Sequence, residues 1–230
     1  MPSRFFKRRK CIHALALLLA AALAAPALAQ GRPDGAAPRL TPRLILVVGD
    51  SLSAEYGLPR GSGWVALLEQ KLAAEKRPWQ VVNASISGDT TSGGRARLPG
   101  LLKKHRPAIV IIELGGNDAL RGLALQATQD NLAAMSASAQ KAGARVLLAG
   151  MQAPPNYGAD YTGRFAALYP RVAQESGAAL VPFLLAGVAD AAPGGDALAL
   201  FQSDRIHPTA QAHPILLRNV WGELEKMLEK

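Results

Sequence analysis

Ser51 stands at the end of an apolar run, in "VVGDSLSAEYG" (47–57). A serine at such a place either caps a helix that follows or serves as a nucleophile at the end of a strand. A serine hydroxyl is a weak nucleophile and needs a base within hydrogen-bond reach. Past the first thirty residues the chain offers three histidines, His105, His207 and His213. His105 lies in the basic stretch "LLKKHRP" and reads as solvated, whereas His213 precedes Pro214 and reads as part of the entry to a last helix. His207 lies in "SDRIHPTA", with Asp204 three residues before it. A carboxylate at that spacing can accept the imidazole Nδ1–H, fix the tautomer and leave Nε2 free to take a proton. The same Asp-x-x-His also serves as a helix-start aspartate beside an incidental histidine.

Acyl transfer further needs hydrogen-bond donors aimed at the oxyanion of the tetrahedral intermediate. Asn117 in "ELGGND" offers a side-chain N–H, and Gly88 and Ser51 offer backbone N–H groups. Glycine at 88 lets the backbone approach a substrate without a Cβ in the way. Taken singly, each of these residues is equally well explained by turn chemistry.

Their order along the chain is more telling. Five short runs dense in Val, Ile and Leu recur: "RLILVV" (43–48), "WQVVNA" (79–84), "AIVIIEL" (108–114), "RVLLAG" (145–150) and "ALVPF" (179–183). Continuous apolar runs of this length read as strands buried on both faces. Helical spacing separates them, in Trp64, Leu67, Leu68 and Leu72, in Leu132, Met135 and Ala139, and in a C-terminal stripe from Leu217 to Leu228. Pro214 suits the first turn of that last helix. Alternating strand and helix predict a mostly parallel sheet with helices on both faces. Ligand sites of such sheets form at the carboxyl ends of the strands. Ser51 follows the first run, Gly88 the second and Asn117 the third, and Asp204 and His207 come after the last.

The blocks "GDSLS", "NASISGDTTSGG", "ELGGND" and "DRIHP" resemble those of the GDSL or SGNH hydrolase superfamily. "RLPGLLKKHRP", "ELGGNDALRG" and "NYGADY" bring the chain closest to its thioesterase I, lysophospholipase and arylesterase-like branch. The resemblance runs from Arg43 to the C-terminal helix. It implies a three-layer α/β/α sandwich with a five-stranded parallel sheet, the flavodoxin-like SGNH hydrolase fold. It also implies Ser51 as nucleophile, His207 as general base and then acid, and Asp204 as the group that orients His207. The oxyanion hole would be the Ser51 and Gly88 N–H groups with the Asn117 side chain. No metal and no organic cofactor are implied. Because Ser51 sits in Gly-Asp-Ser-Leu, the strained elbow of Gly-x-Ser-x-Gly enzymes is not indicated. Glu55 and Arg205 depart from the commonest pattern, which has small residues there, and both are expected to add charge near the mouth of the site.

Composition sets outer bounds. A chain of 230 residues with 49% hydrophobic and 5% aromatic content suits one globular domain. Residues 1–29 combine a basic start with the run "HALALLLAAALAAPALA" and end in a small-x-small pattern, which predicts a signal peptide cleaved after Ala29. Residues 30–42, rich in Gly and Pro, read as a flexible lead-in, and 43–230 as the hydrolase domain. The leader holds five basic residues and no acidic one, so its removal lowers the formal charge from +9 to +4 and leaves no nucleic-acid footprint. The only cysteine, Cys11, leaves with it, and with it any thiol nucleophile or disulfide.

The expected activity is therefore that of a periplasmic or secreted serine esterase. Its substrates would be small acyl esters or thioesters, including aryl esters and lysophospholipids, with peripheral contact to lipid. The expected acyl groove is lined by Leu120, Leu123 and Pro154, which the sequence equally allows as core or loop-anchor residues. A carbohydrate O-acetyl esterase is the alternative within enzymes, and a non-catalytic envelope scaffold the alternative outside them. Oligomeric state is left open.

Overall fold

A computed structural model describes residues 43–189 and 198–229. The expected signal peptide (1–29) and lead-in (30–42) lie outside the described residues. Among the described residues, five strands form one parallel sheet: β1 (Arg43–Gly49), β2 (Trp79–Asn83), β3 (Ile109–Glu113), β4 (Arg145–Ala149) and β5 (Ala179–Val181). Their order is β2-β1-β3-β4-β5. Among the described residues, six α-helices complete it: α1 (Trp64–Ala74), α2 (Thr91–His105), α3 (Gly116–Leu120), α4 (Leu125–Lys141), α5 (Ala159–Ser176) and α6 (His213–Leu228).

The connections set the layers. The chain leaves β1 toward β2 on one side and later runs from β2 past β1 to β3, β4 and β5 on the other. Right-handed crossovers then put α1 on one face and α2, α4 and α5 on the opposite one. The packing agrees: α1 lies against α6, while α2 packs on α4 and α4 on α5. The direction of winding reverses between β1 and β3, and the crevice at such a reversal is where open α/β sheets hold ligands.

Burial follows the apolar runs. Ile45 through Val48, Ile109 through Ile112, and Leu147 through Ala149 are fully buried. β2 differs because it is an edge strand: Gln80 and Asn83 are exposed and Val81 and Val82 only half-buried, so the expectation of burial on both faces fails there. β5 is shorter than the apolar run 179–183, since it ends just before Pro182, which has no N–H to give the ladder. The three expected helical stripes fall on α1, α4 and α6, with Trp64, Leu68, Leu72, Leu132, Met135, Ala139, Val220 and Leu224 buried.

Candidate active site

Ser51 begins no helix. Residues 51–58 form successive turns, and Asp50 Oδ1 accepts the Leu52 N–H at 3.0 Å to hold the first of them. The capping role therefore has no helix to serve. The Ser51 Oγ instead lies 2.9 Å from His207 Nε2. His207 Nδ1 in turn lies 2.6 Å from Asp204 Oδ2.

Two loops carry these groups, and Gln202 ties them together. Its backbone N–H donates to the His207 carbonyl at 2.7 Å, and its side-chain amide donates to the carbonyls of Tyr56 (2.9 Å) and Pro208 (3.0 Å). A bridge between Phe201 and Pro208 closes the base of the second loop. The Tyr56 ring covers the imidazole, with ring centroids 4.4 Å apart. Asp204 Oδ1 accepts the N–H groups of both Ile206 and His207 at 3.0 Å. Burial raises the Asp204 carboxyl, but these bonds and the one to the His207 ring outweigh it and bring it down to about 2.

The donor residues come from the neighbouring strand ends. Gly88 follows β2 with φ +79°, a backbone region where glycine is at ease, and its carbonyl accepts from Arg121 Nη2 at 2.8 Å. Among the described residues, neither the Ser51 nor the Gly88 N–H donates a hydrogen bond. Asn117 lies in α3 and donates one Nδ2 hydrogen to Asp50 Oδ2 at 2.9 Å. The sharp entry to α3 is made by Gly115 at φ +119°, where an added Cβ would meet the Tyr169 hydroxyl at 2.3 Å.

Sequence reasoning missed the layer beneath. Glu113, the last residue of β3, is completely buried. Its Oε2 accepts from the Asp50 N–H (3.2 Å) and the Ser53 hydroxyl (2.7 Å), which itself accepts from Trp64 Nε1 (3.1 Å). Its Oε1 has no partner among the described residues. Burial and the nearby Asp50 push Glu113 well above the ordinary carboxylate range. Burial also raises Asp50, to about 6, against the bonds from Leu52 and Asn117 that lower it. Asp118, also buried, accepts from the Thr91 N–H (2.9 Å) and hydroxyl (2.5 Å) and so fixes the start of α2 to α3. Asp89 pairs with Arg97, which also bonds the carbonyls of Ala84 and Gly49 and staples the β1 and β2 ends.

One expectation is corrected, and another holds with a further role added. Glu55 is no free charge at the mouth: its carboxylate accepts the N–H groups of Gly61 and Gly63 and braces its own loop, with φ +59° at its Cα. His213 does begin α6, yet it is buried, and its Nδ1 accepts the Trp64 N–H at 3.0 Å, capping α1. Arg205 does stay exposed, also at positive φ, between Asp204 and His207. His105 sits half-buried in the last turn of α2. Leu120 and Leu123 are 38% and 40% exposed, so they are not core residues, and Pro154 is half-buried. The Tyr157 hydroxyl donates to the Leu120 carbonyl at 3.1 Å, joining the two segments expected to border the groove. A separate recess of about 300 Å³, lined by Glu55, Arg60, Val65, Glu69 and Val81 among others, contains none of the expected site residues.

The model of the GDSL-like lipase/acylhydrolase family matches residues 47–215. The chain belongs to that family. Esterase TesA of Pseudomonas aeruginosa is 53% identical over 184 residues, covering 80% of this chain and 89% of that protein. Thioesterase 1/protease 1/lysophospholipase L1 of Escherichia coli K12 is 42% identical over 172 residues, 75% of this chain and 78% of that protein. The crystal structure of TesA superposes with a TM-score of 0.76 at 52% identity, covering 80% of this chain and 99% of the other. This GDSL hydrolase is thus an SGNH esterase in fold and class.

Proposed function

We propose that the chain is an exported serine esterase that works through an acyl-enzyme on Ser51. The carrying observation is the relay of Ser51 Oγ to His207 Nε2 (2.9 Å) and His207 Nδ1 to Asp204 Oδ2 (2.6 Å). Ser51 attacks the substrate carbonyl while His207 takes its proton. Asp204 holds the tautomer with Nδ1 protonated and stabilises the imidazolium. The Ser51 and Gly88 N–H groups, uncommitted among the described residues, and the second Asn117 Nδ2 hydrogen receive the oxyanion. Protonated His207 then gives its proton to the departing alcohol or thiol. A water repeats the sequence on the acyl-enzyme, releasing the acid and restoring Ser51.

The names of the relatives support acyl esters, thioesters and lysophospholipids as the substrate range. The exposed leucines at 120 and 123 suit contact with an acyl chain. Export rests on the leader: its basic start, apolar run and Ala27-Leu28-Ala29 end lead us to place the mature enzyme in the periplasm or outside the cell, beginning at Gln30.

The test is an assay of the mature chain and its Ser51→Ala variant. The panel holds p-nitrophenyl acetate, butyrate and octanoate, palmitoyl-CoA, a lysophospholipid and an acetylated xylan oligomer. Turnover of acyl esters that vanishes in the variant supports the reading. Activity on the acetylated sugar alone would overturn the substrate range. Folded protein inactive on every member would overturn the catalytic reading.

A further inference from the structure

The geometry points to Asp50 as a positioning residue for acyl transfer, the group that decides which end of the Asn117 amide faces the oxyanion. This inference rests on the oxyanion role proposed for Asn117. A primary amide has a donor end and an acceptor end of nearly equal shape. Only the NH₂ end stabilises negative charge, and an amide turned over would present its oxygen to the oxyanion.

Both Asp50 oxygens act as acceptors. Oδ1 takes the Leu52 N–H and Oδ2 takes an Asn117 Nδ2 hydrogen at 2.9 Å. An ionised carboxylate has no hydrogen to give, so it bonds the Asn117 NH₂ and not its oxygen. The second Nδ2 hydrogen remains for the substrate. The carboxylate is itself held rigidly. Asp50 is 2% exposed, and its backbone N–H donates to Glu113 Oε2 beneath it at 3.2 Å. Gly49 leaves the room this needs: a Cβ there would lie 2.6 Å from Glu113 Oε2.

The charged and titratable groups that act on Asp50 come from several elements: Glu113 of β3, His207 of the second loop, Asp89 after β2 and Tyr169 of α5. Burial and the Asp50 charge both raise Glu113. Asp50, raised chiefly by burial to about 6, is ionised at pH 8.

The test is a double-mutant cycle on kcat and KM at pH 8, with Asp50→Asn, Asn117→Ala and the pair. In Asp50→Asn one oxygen still serves Leu52, but an NH₂ meets the Asn117 NH₂, so the Asn117 amide turns over. We expect kcat to fall on the order of 10²-fold with KM within about twofold, as for loss of one oxyanion donor. The pair should be no slower than Asn117→Ala alone, because the two residues act as one unit. A single Asp50→Asn effect below threefold, or a pair whose loss is the product of the two singles, would overturn the inference. A pH profile gives a second readout that needs no change at position 50. Protonating Asp50 turns one of its two acceptor oxygens into a donor, so Leu52 and Asn117 can no longer both be served, and wild-type kcat falls more steeply below about pH 6 than kcat of Asn117→Ala. Parallel acid limbs in the two proteins would contradict the role. Ser51→Ala separates the levels. If it abolishes turnover while the cycle is additive, only this inference fails. If it leaves turnover intact, the acyl-enzyme reading fails first.

Discussion

Asp204 grips His207 at two points: Oδ1 accepts its backbone N–H at 3.0 Å, and Oδ2 meets its ring Nδ1 at 2.6 Å. The short Asp-x-x-His spacing makes this double hold possible, because the loop turns back on the carboxylate. Asp204→Asn keeps the shape but offers an NH₂ in place of one oxygen. Where the ring then takes the wrong tautomer, kcat drops by roughly 10²–10⁴-fold. Steady-state kinetics should show that loss with KM little changed. Unaltered kcat would remove Asp204 from the relay. Since Asp204 stays ionised down to about pH 2, it should give no limb to the activity profile above pH 4.

His213 predicts a pH-dependent stability. Its Nδ1 must be unprotonated to accept the Trp64 N–H, and burial lowers the ring from 6.5 to about 4. The unfolded chain therefore binds this proton at higher pH than the folded one. The contribution is fully present above pH 6.5 and is lost as pH falls from there toward 4. Its size is roughly 2–4 kcal/mol. His213→Asn keeps an acceptor without the titration. The Tm of the variant, read relative to wild type, should rise between pH 6.5 and 4. A constant difference across that window would refute the assignment.

Gly115 cannot become alanine cheaply. Its φ of +119° suits glycine alone, and the new methyl would strike the Tyr169 hydroxyl that donates to the Leu114 carbonyl at 2.9 Å. Gly115→Ala should cost about 2–4 kcal/mol in urea unfolding, from backbone strain and overpacking together. A cost below 1 kcal/mol would show that the turn before Asn117 is more forgiving than its geometry indicates.

Leu123 tests the acyl contact. It is 40% exposed, so Leu123→Ala should leave the fold intact. The ratio of kcat/KM for p-nitrophenyl octanoate over acetate should fall several-fold, since one apolar contact is worth roughly 1–3 kcal/mol. An unchanged ratio would dismiss Leu123 from the groove.

The strands and the Asp204–His207 pair were legible because their signals are local. Val, Ile and Leu pile up in β1, β3 and β4, which are buried on both faces, and Asp204 and His207 reach each other within one loop. α2 and α5 gave no clear pattern. Each carries a proline, Pro99 and Pro170, and α2 opens with Gly93 and Gly94 while burying only Leu98 and Leu102 among large apolar residues. Glu55 misled because its carboxylate is spent on backbone N–H groups that only the folded turn supplies. Asp50 and Glu113 went unread for a similar reason, since burial of a carboxyl leaves no periodicity. One sign was available: a glutamate closing the apolar run of β3, every residue of which is buried.

The nucleophile is the central claim, and covalent trapping tests it most directly. The mature chain would be treated with a p-nitrophenyl alkylphosphonate, then examined by intact mass and peptide mapping. We expect one phosphonyl group per chain, on the peptide that holds Ser51, release of one p-nitrophenolate, parallel loss of esterase activity, and no adduct in Ser51→Ala. An adduct on another residue that tracks the loss of activity, or full inactivation with Ser51 unmodified, would contradict the account.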